Sequence, residues 1–248
     1  MDTVHQVLER AWSAHSAGEF DAALKDYIWL FDATSVPDPE IAPLRLSYVL
    51  NAWAKLAEEH LPARQALVTL RDSATERLLA KVDSQADVEG AILFNDIRAI
   101  NDKLGDLQNT YHLFKRLPAA LAQQSANSAL PSMMACGDFT LARSYLPQPE
   151  QHLAAYAAEV NAHVAGLQLL TNEGMSELLA AVYNYMTEVR LILDLLAGCG
   201  DTAAAATARQ QAAALILAPE ARACVQAELD APGTTLDAMV ELQNSSVT

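Results

Sequence analysis

A glycine followed at once by an acidic residue, with an amphipathic helix on its far side, recurs down this chain. The first copy is Gly18-Glu19-Phe20-Asp21-Ala22-Ala23-Leu24-Lys25-Asp26-Tyr27, where Ala23, Leu24, Tyr27 and Phe31 fall along one helix face. Gly105-Asp106, Gly137-Asp138 and Gly200-Asp201 occupy equivalent turns, and Cys136-Gly137-Asp138 and Cys199-Gly200-Asp201 share a tripeptide. Only glycine enters the left-handed helix cap cheaply, and an acidic residue favours the positive end of the helix that follows. A chain punctuated in this way folds as helical hairpins. No single amphipathic hairpin hides its apolar face alone, so neighbouring hairpins must cover it.

Composition agrees with helix. Hydrophobic residues make up 52% of the 248, enough for a sizeable core, and only 9 Gly and 10 Pro interrupt a chain rich in Ala, Leu and Gln. The formal charge of −15, from 31 acidic against 16 basic residues, repels phosphate backbones and anionic headgroups. Nucleic acid and membrane partners are therefore not expected, and a basic protein or peptide is the compatible one. Met1-Asp2-Thr3-Val4-His5 has neither a basic n-region nor an apolar h-region, so no secretory leader is expected. Cys136, Cys199 and Cys224 cannot all pair within one chain, which points to a reducing cytoplasm and free, mostly buried thiols.

In chain order, Val4, Val7, Leu8, Ala11 and Trp12 mark a first helix over 2–17, and the helix after Gly18 runs to about Ala33 before Pro37, Pro39 and Pro43. A second hairpin begins near Ile41, with Leu46, Val49, Leu50, Trp53 and Ala57 on its first helix. Pro62 restarts the chain as a second helix to about Ala80. The polar stretch 81–89 reads as a loop and as the internal joint of one elongated domain, 1–248. Ile92, Leu93, Ile97, Ile100 and Leu104 open a third hairpin completed by Tyr111, Phe114 and Leu117; the next helix, 119–136, carries Pro131 and is expected to kink there. Two longer helices follow, about 150–170 and from Gly174 to Gly198, the second with Leu178, Val182, Tyr185, Met186, Val189, Leu193 and Leu196 in register. Shorter helices occupy roughly 202–217, 219–230 and 235–242.

The turn glycines lie 32 residues apart from 105 to 137 and 63 apart from 137 to 200, near one and two periods of a 34-residue helical repeat. On these residues the chain resembles the tetratricopeptide-repeat (TPR-like) superfamily. Gly18, Phe20, Ala23 and Tyr27 match the family's turn glycine, following aromatic, small alanine and second-helix aromatic. Trp53, Ala54, Ala57, Ala66 and Leu70 fit a second unit, Ile97, Asn101, Gly105, Thr110 and Phe114 a third, and Gly137, Phe139, Ala142 and Leu146 a fourth. Spacings near 43–44 between the first units depart from the standard length. The resemblance implies an all-α, right-handed stack of antiparallel helical hairpins, about ten to twelve helices with irregular repeats. An irregular helical bundle is the alternative.

The same resemblance places the first helix of each hairpin on a concave groove. Its groove positions fall on His5, Leu8, Trp12 and His15, then Tyr48, Asn51, Lys55 and Glu58, then Asn95 and Asp102, Asn127, and finally Arg190 and Asp194. Asn51, Asn95 and Asn127 share one groove position, and an amide there pairs with an extended peptide backbone whatever its side chains. Lys55 and Arg190 are candidates to hold a carboxylate, or ordinary surface ion pairs. Cys136 and Cys199 precede turn glycines at helix C-termini, where the dipole disfavours thiolate, so packing rather than nucleophilic chemistry is expected. Trp12, Trp29 and Trp53 are expected to plug the joint between the first two hairpins. Glu58-Glu59-His60 is the densest titratable cluster and reads as solvated charge at a turn.

No His-Glu-x-x-His, Cys-x-x-Cys, Gly-rich phosphate loop or Gly-x-Ser-x-Gly elbow is present, so no metal, cofactor or catalytic constellation is expected. The sequence thus favours a non-enzymatic adaptor or chaperone-like scaffold that takes a peptide in its groove. One alternative is a homodimeric assembly through the Ala-rich residues 203–206 and 212–214. The other is a small-ligand binder or enzyme with a pocket between its two halves.

Overall fold

The computed structural model describes residues 3–35, 44–80 and 88–245, and every regular element among them is helical. Thirteen α-helices are present: α1 Val4–Ser16, α2 Phe20–Ala33, α3 Leu50–Glu59, α4 Leu61–Ala80, α5 Val88–Leu104, α6 Leu107–Phe114, α7 Ala119–Ala135, α8 Phe139–Tyr145, α9 Pro149–Val164, α10 Asn172–Gly198, α11 Thr202–Ala214, α12 Pro219–Asp230 and α13 Thr234–Ser245. A π-helical turn, Arg45–Val49, leads without a break into α3. The count among the described residues exceeds the expected ten to twelve, while the five helices after Pro147 match the five expected there. Helix α9 stops at Val164 rather than near 170, since a turn over Ala165–Leu167 precedes the Thr171 cap of α10. Pro37, Pro39, Pro43, Ile41 and most of the 81–89 loop lie outside the described residues; Val88 and Glu89 already belong to α5.

The repeated turn is the local device that sets this order. Gly18, Gly105, Gly137 and Gly200 have φ of 76°, 73°, 76° and 79°, the left-handed region in which a Cβ is strained. At three of them the acidic residue's N–H closes the preceding helix: Glu19 donates to Ala14 O at 2.9 Å, Asp106 to Asn101 O at 2.8 Å and Asp201 to Leu196 O at 2.9 Å. Asp138 and Asp201 then turn their carboxylates onto Leu141 N and Ala204 N, 3.1 and 3.0 Å away, capping the next helix. One dipeptide therefore ends one helix and starts another.

The chain divides into two compact units, residues 1–136 and 137–248. In the first, helices pack serially: α2 against α1 and α3, α4 against α3 and α5, α6 against α5 and α7, with α3–α5 and α5–α7 also in contact. Tyr27, Leu30, Phe31, Leu50, Trp53, Leu56 and Leu67 form the shared core, each large side chain contributing about 2 kcal/mol by removal from water. Trp53 closes the α3–α4 hairpin by donating its indole N–H to Ala63 O at 3.0 Å and meets Phe31 edge-on. Arg45 ties three elements together. It donates to Phe31 O at 3.1 Å, lies 4.1 Å above the Phe31 ring and pairs with Asp96 of α5 at 2.7 Å.

The second unit is built about α10, which α8, α9, α11, α12 and α13 all touch. Leu178, Val182, Tyr185, Met186, Val189 and Leu196 of the expected register are buried, while Leu193 is only half-buried. Consecutive helices also pack in turn, α9 on α10, α10 on α11, α11 on α12 and α12 on α13, so α10 is the centre of a serially packed set. Tyr185 donates to Ala212 O at 2.9 Å, and Asn161 holds both Leu215 O and Leu217 N. Ala212 and Ala213 are spent in this core, so residues 212–214 do not present the flat outer face expected for self-assembly.

Three further expectations are corrected. Cys136 and Cys199 are exposed, because a residue just before a turn glycine sits at the open end of its helix, and Cys224, within α12, is half-buried. Trp12 and Trp29 are 47% and 44% exposed, and only Trp53, at 2%, serves the hairpin joint. Leu8 is buried against the core and cannot line a groove. The helix expected to carry Pro131 is present as α7, Ala119–Ala135, with the proline inside it.

Candidate functional site

The groove candidates of the first unit stand on alternate helices, of which α3–α5 and α5–α7 are in contact. His5 and Trp12 are exposed on α1; Tyr48 lies in the π-helical turn, with Asn51, Lys55 and Glu58 exposed on α3, and Asn127 is exposed on α7. Asn95 on α5 is half-buried and accepts a hydrogen bond from Arg98 Nε at 3.1 Å. Asp102 is exposed, 3.9 Å from Lys103. His15 is half-buried, its ring edge-on to Phe20 and Tyr27. His60 does not join Glu58 and Glu59 in a solvated cluster; it reaches Asp21 at 3.0 Å and lies against the Phe20 ring. Arg190 and Asp194 belong to the second unit. Arg190 is already paired with Glu228 of α12, which removes it as a receptor for an incoming carboxylate.

A cavity of about 740 Å3 lies elsewhere, between α9 and α10. Its walls come from one repeating pattern on two antiparallel helices. On α9, Tyr156, Glu159, Val160 and His163 face it; on α10, Glu177, Ala181, Asn184 and Glu188 do. Residues spaced three, four, seven and eleven positions apart share one helix face. Ala180 and Ala181 are short where their neighbours are long, and the missing volume is what opens the cleft. Buried Val160 and Tyr185 make its floor.

Charge is set at both ends. His152 Nε2 stands 3.4 Å from Glu188 Oε2, and His163 Nε2 stands 3.9 Å from Glu177 Oε2. Glu159 adds a third carboxylate on the α9 side. Burial pushes the Tyr156 hydroxyl above its ordinary range, and negative charge at Glu188 and Glu159 pushes it further. Any cation seated here has its charge met by glutamate and its methylene stem covered by tyrosine, valine and alanine.

The individual helices were legible in sequence, but the cleft was missed. Its signal is the polar and aromatic stripe at 156, 159 and 163, matched by 177, 184 and 188, which apolar periodicity passes over. Among the described residues no group of three or more His, Cys, Asp or Glu is arranged to hold a metal ion. No described helix is long and apolar enough to cross a membrane. No family model, no curated protein and no solved structure matches this chain.

Proposed function

We propose that the chain is a TPR-like, non-enzymatic scaffold that binds a basic segment of a partner protein, seated in the α9–α10 cleft. The observation that carries this reading is the cleft itself: an apolar floor of Val160 and Tyr185 under three carboxylates, Glu159, Glu177 and Glu188. A net charge of −15 supports it, because long-range attraction draws a basic client in and repels acidic competitors. The serial packing of α1 to α7 supports the TPR-like part, since stacked pairs are how such scaffolds present an extended surface. The test is titration of a fluorescent lysine-rich peptide against an equally long glutamate-rich one. The basic peptide binds, and it binds more tightly as salt is lowered; equal affinity for both peptides refutes the reading.

A second surface is favoured by one specific observation. Helices α3, α5 and α7 lie side by side, and they carry Asn51, Asn95 and Asn127. An amide ladder there would hold peptide backbone without regard to sequence. Changing all three to alanine leaves client capture unchanged if the cleft alone binds, and lowers it if the ladder contributes.

A further inference from the structure

We infer that the cleft is a two-point receptor, selecting an extended segment whose two cationic side chains stand four residues apart. The inference rests on the basic-segment reading of the same cleft and adds its selection rule.

The rule follows from register. His152 and His163 lie eleven positions apart on α9, and Glu177 and Glu188 lie eleven apart on α10. Eleven residues are three helical turns, so each pair shares a face and spans about 16 Å along the axis. The helices run antiparallel, with His152 beside Glu188 and His163 beside Glu177, so carboxylate charge marks each end of the cleft. Glu159 stands one turn in from His163, on the Glu177 side, so that end carries two carboxylates and the other end one; between them lie Tyr156, Val160, Ala181 and Tyr185. A chain in extended conformation advances about 3.3 Å per residue and alternates its side chains, so residues four apart share a face about 13 Å apart and flexible lysine stems make up the shortfall.

A helical client is disfavoured on two counts. Its cations would have to stand three turns apart, and an α-helix with side chains is about 10–12 Å wide. Helices α9 and α10 pack directly on each other, so the space between them does not admit a third helix. An extended strand is the occupant that fits. Two adjacent cations reach only one end, and two cations set ten residues apart overshoot the cleft.

The experiment is a series of peptides of one composition, each with two lysines in a Gly-Ser-Ala background, separated by one, four, five or nine residues. Binding is read by fluorescence anisotropy at low salt. The spacing of four binds about fivefold more tightly than the others, the size of one exposed charge contact, and five is weaker because its lysines fall on opposite faces. That advantage disappears in Glu188→Gln and shrinks in Glu177→Gln, where Glu159 remains, while their melting curves stay at the wild-type position because neither side chain is in the core. Equal affinity across the series, with binding intact, overturns the spacing rule and leaves the basic-segment reading standing. Failure of every lysine peptide to bind overturns both.

Discussion

The Arg190 guanidinium on α10 pairs with the Glu228 carboxylate on α12, and that carboxylate is 1% exposed. Glu228 also accepts from Gly233 N at 2.8 Å, Thr235 N at 2.7 Å and the Thr234 hydroxyl at 3.2 Å. One buried side chain thereby joins the end of α12, the start of α13 and the central helix. Burial alone would raise its carboxyl; the hydrogen bonds from Gly233, Thr235 and Thr234 outweigh that and hold it at about 2.

The sign of the pH dependence follows. A carboxyl at 4.5 in the unfolded chain and about 2 in the folded one contributes roughly 3 kcal/mol, fully present above pH 4.5 and lost as pH falls toward 2. Glu228→Gln is expected to lower stability by about that amount at pH 7 and to flatten the acid limb of the denaturation profile. An unchanged acid limb in the variant would remove Glu228 from this role.

The Arg45–Asp96 pair makes a second prediction. Both side chains are largely buried, and Arg45 also holds Phe31 through its ring and its carbonyl. Removing one partner leaves an uncompensated charge inside the first unit, so Asp96→Ala is expected to cost about 3 kcal/mol in urea denaturation. A loss below about 1 kcal/mol would mean that Arg45 finds another partner or water.

Much of the fold is written locally. The Gly–acidic dipeptides state where helices end, and all four turn glycines adopt the left-handed geometry their position requires. Of the stripe named for α2, Ala23, Tyr27 and Phe31 are buried and Leu24 is half-buried, while Asp26 and Leu30 are buried besides. The cleft is different, because it depends on how α9 and α10 slide against each other. That register is fixed by the loop between them, where Gly174 packs on the Gln168 backbone, and no periodicity within either helix encodes it. The cysteines were misjudged for a related reason: residue type favours burial, but the open end of a helix does not supply it.

The loop itself is testable. A Cβ at Gly174 would come within 2.2 Å of the Gln168 carbonyl oxygen, a backbone atom that cannot swing away. Gly174→Ala is therefore expected to destabilise the protein by about 2 kcal/mol, as overpacking does. Gly166→Ala is the matched control, because its nearest atom would be 3.8 Å away. Equal melting temperatures for the two variants would contradict the packing described.

Thiol labelling of the native protein checks the cysteines. Cys136 and Cys199 are exposed, while burial pushes the half-buried Cys224 thiol above its ordinary range. Two thiols are expected to react quickly with an aromatic disulfide reagent and the third slowly, with mapping placing the slow one at Cys224. Three slow thiols would mean that both helix ends are covered in solution.

The most direct test of the account compares two triple variants in calorimetric titrations of one lysine-bearing peptide at low salt. Glu159→Gln, Glu177→Gln and Glu188→Gln together remove the charge of the cleft; Asn51→Ala, Asn95→Ala and Asn127→Ala together remove the amide ladder of the first unit. Each rim charge is worth up to about 1 kcal/mol, so the carboxylate variant is expected to bind at least about tenfold more weakly than the native chain. Native affinity in the carboxylate variant would contradict the proposal that the α9–α10 cleft is where this protein meets its client.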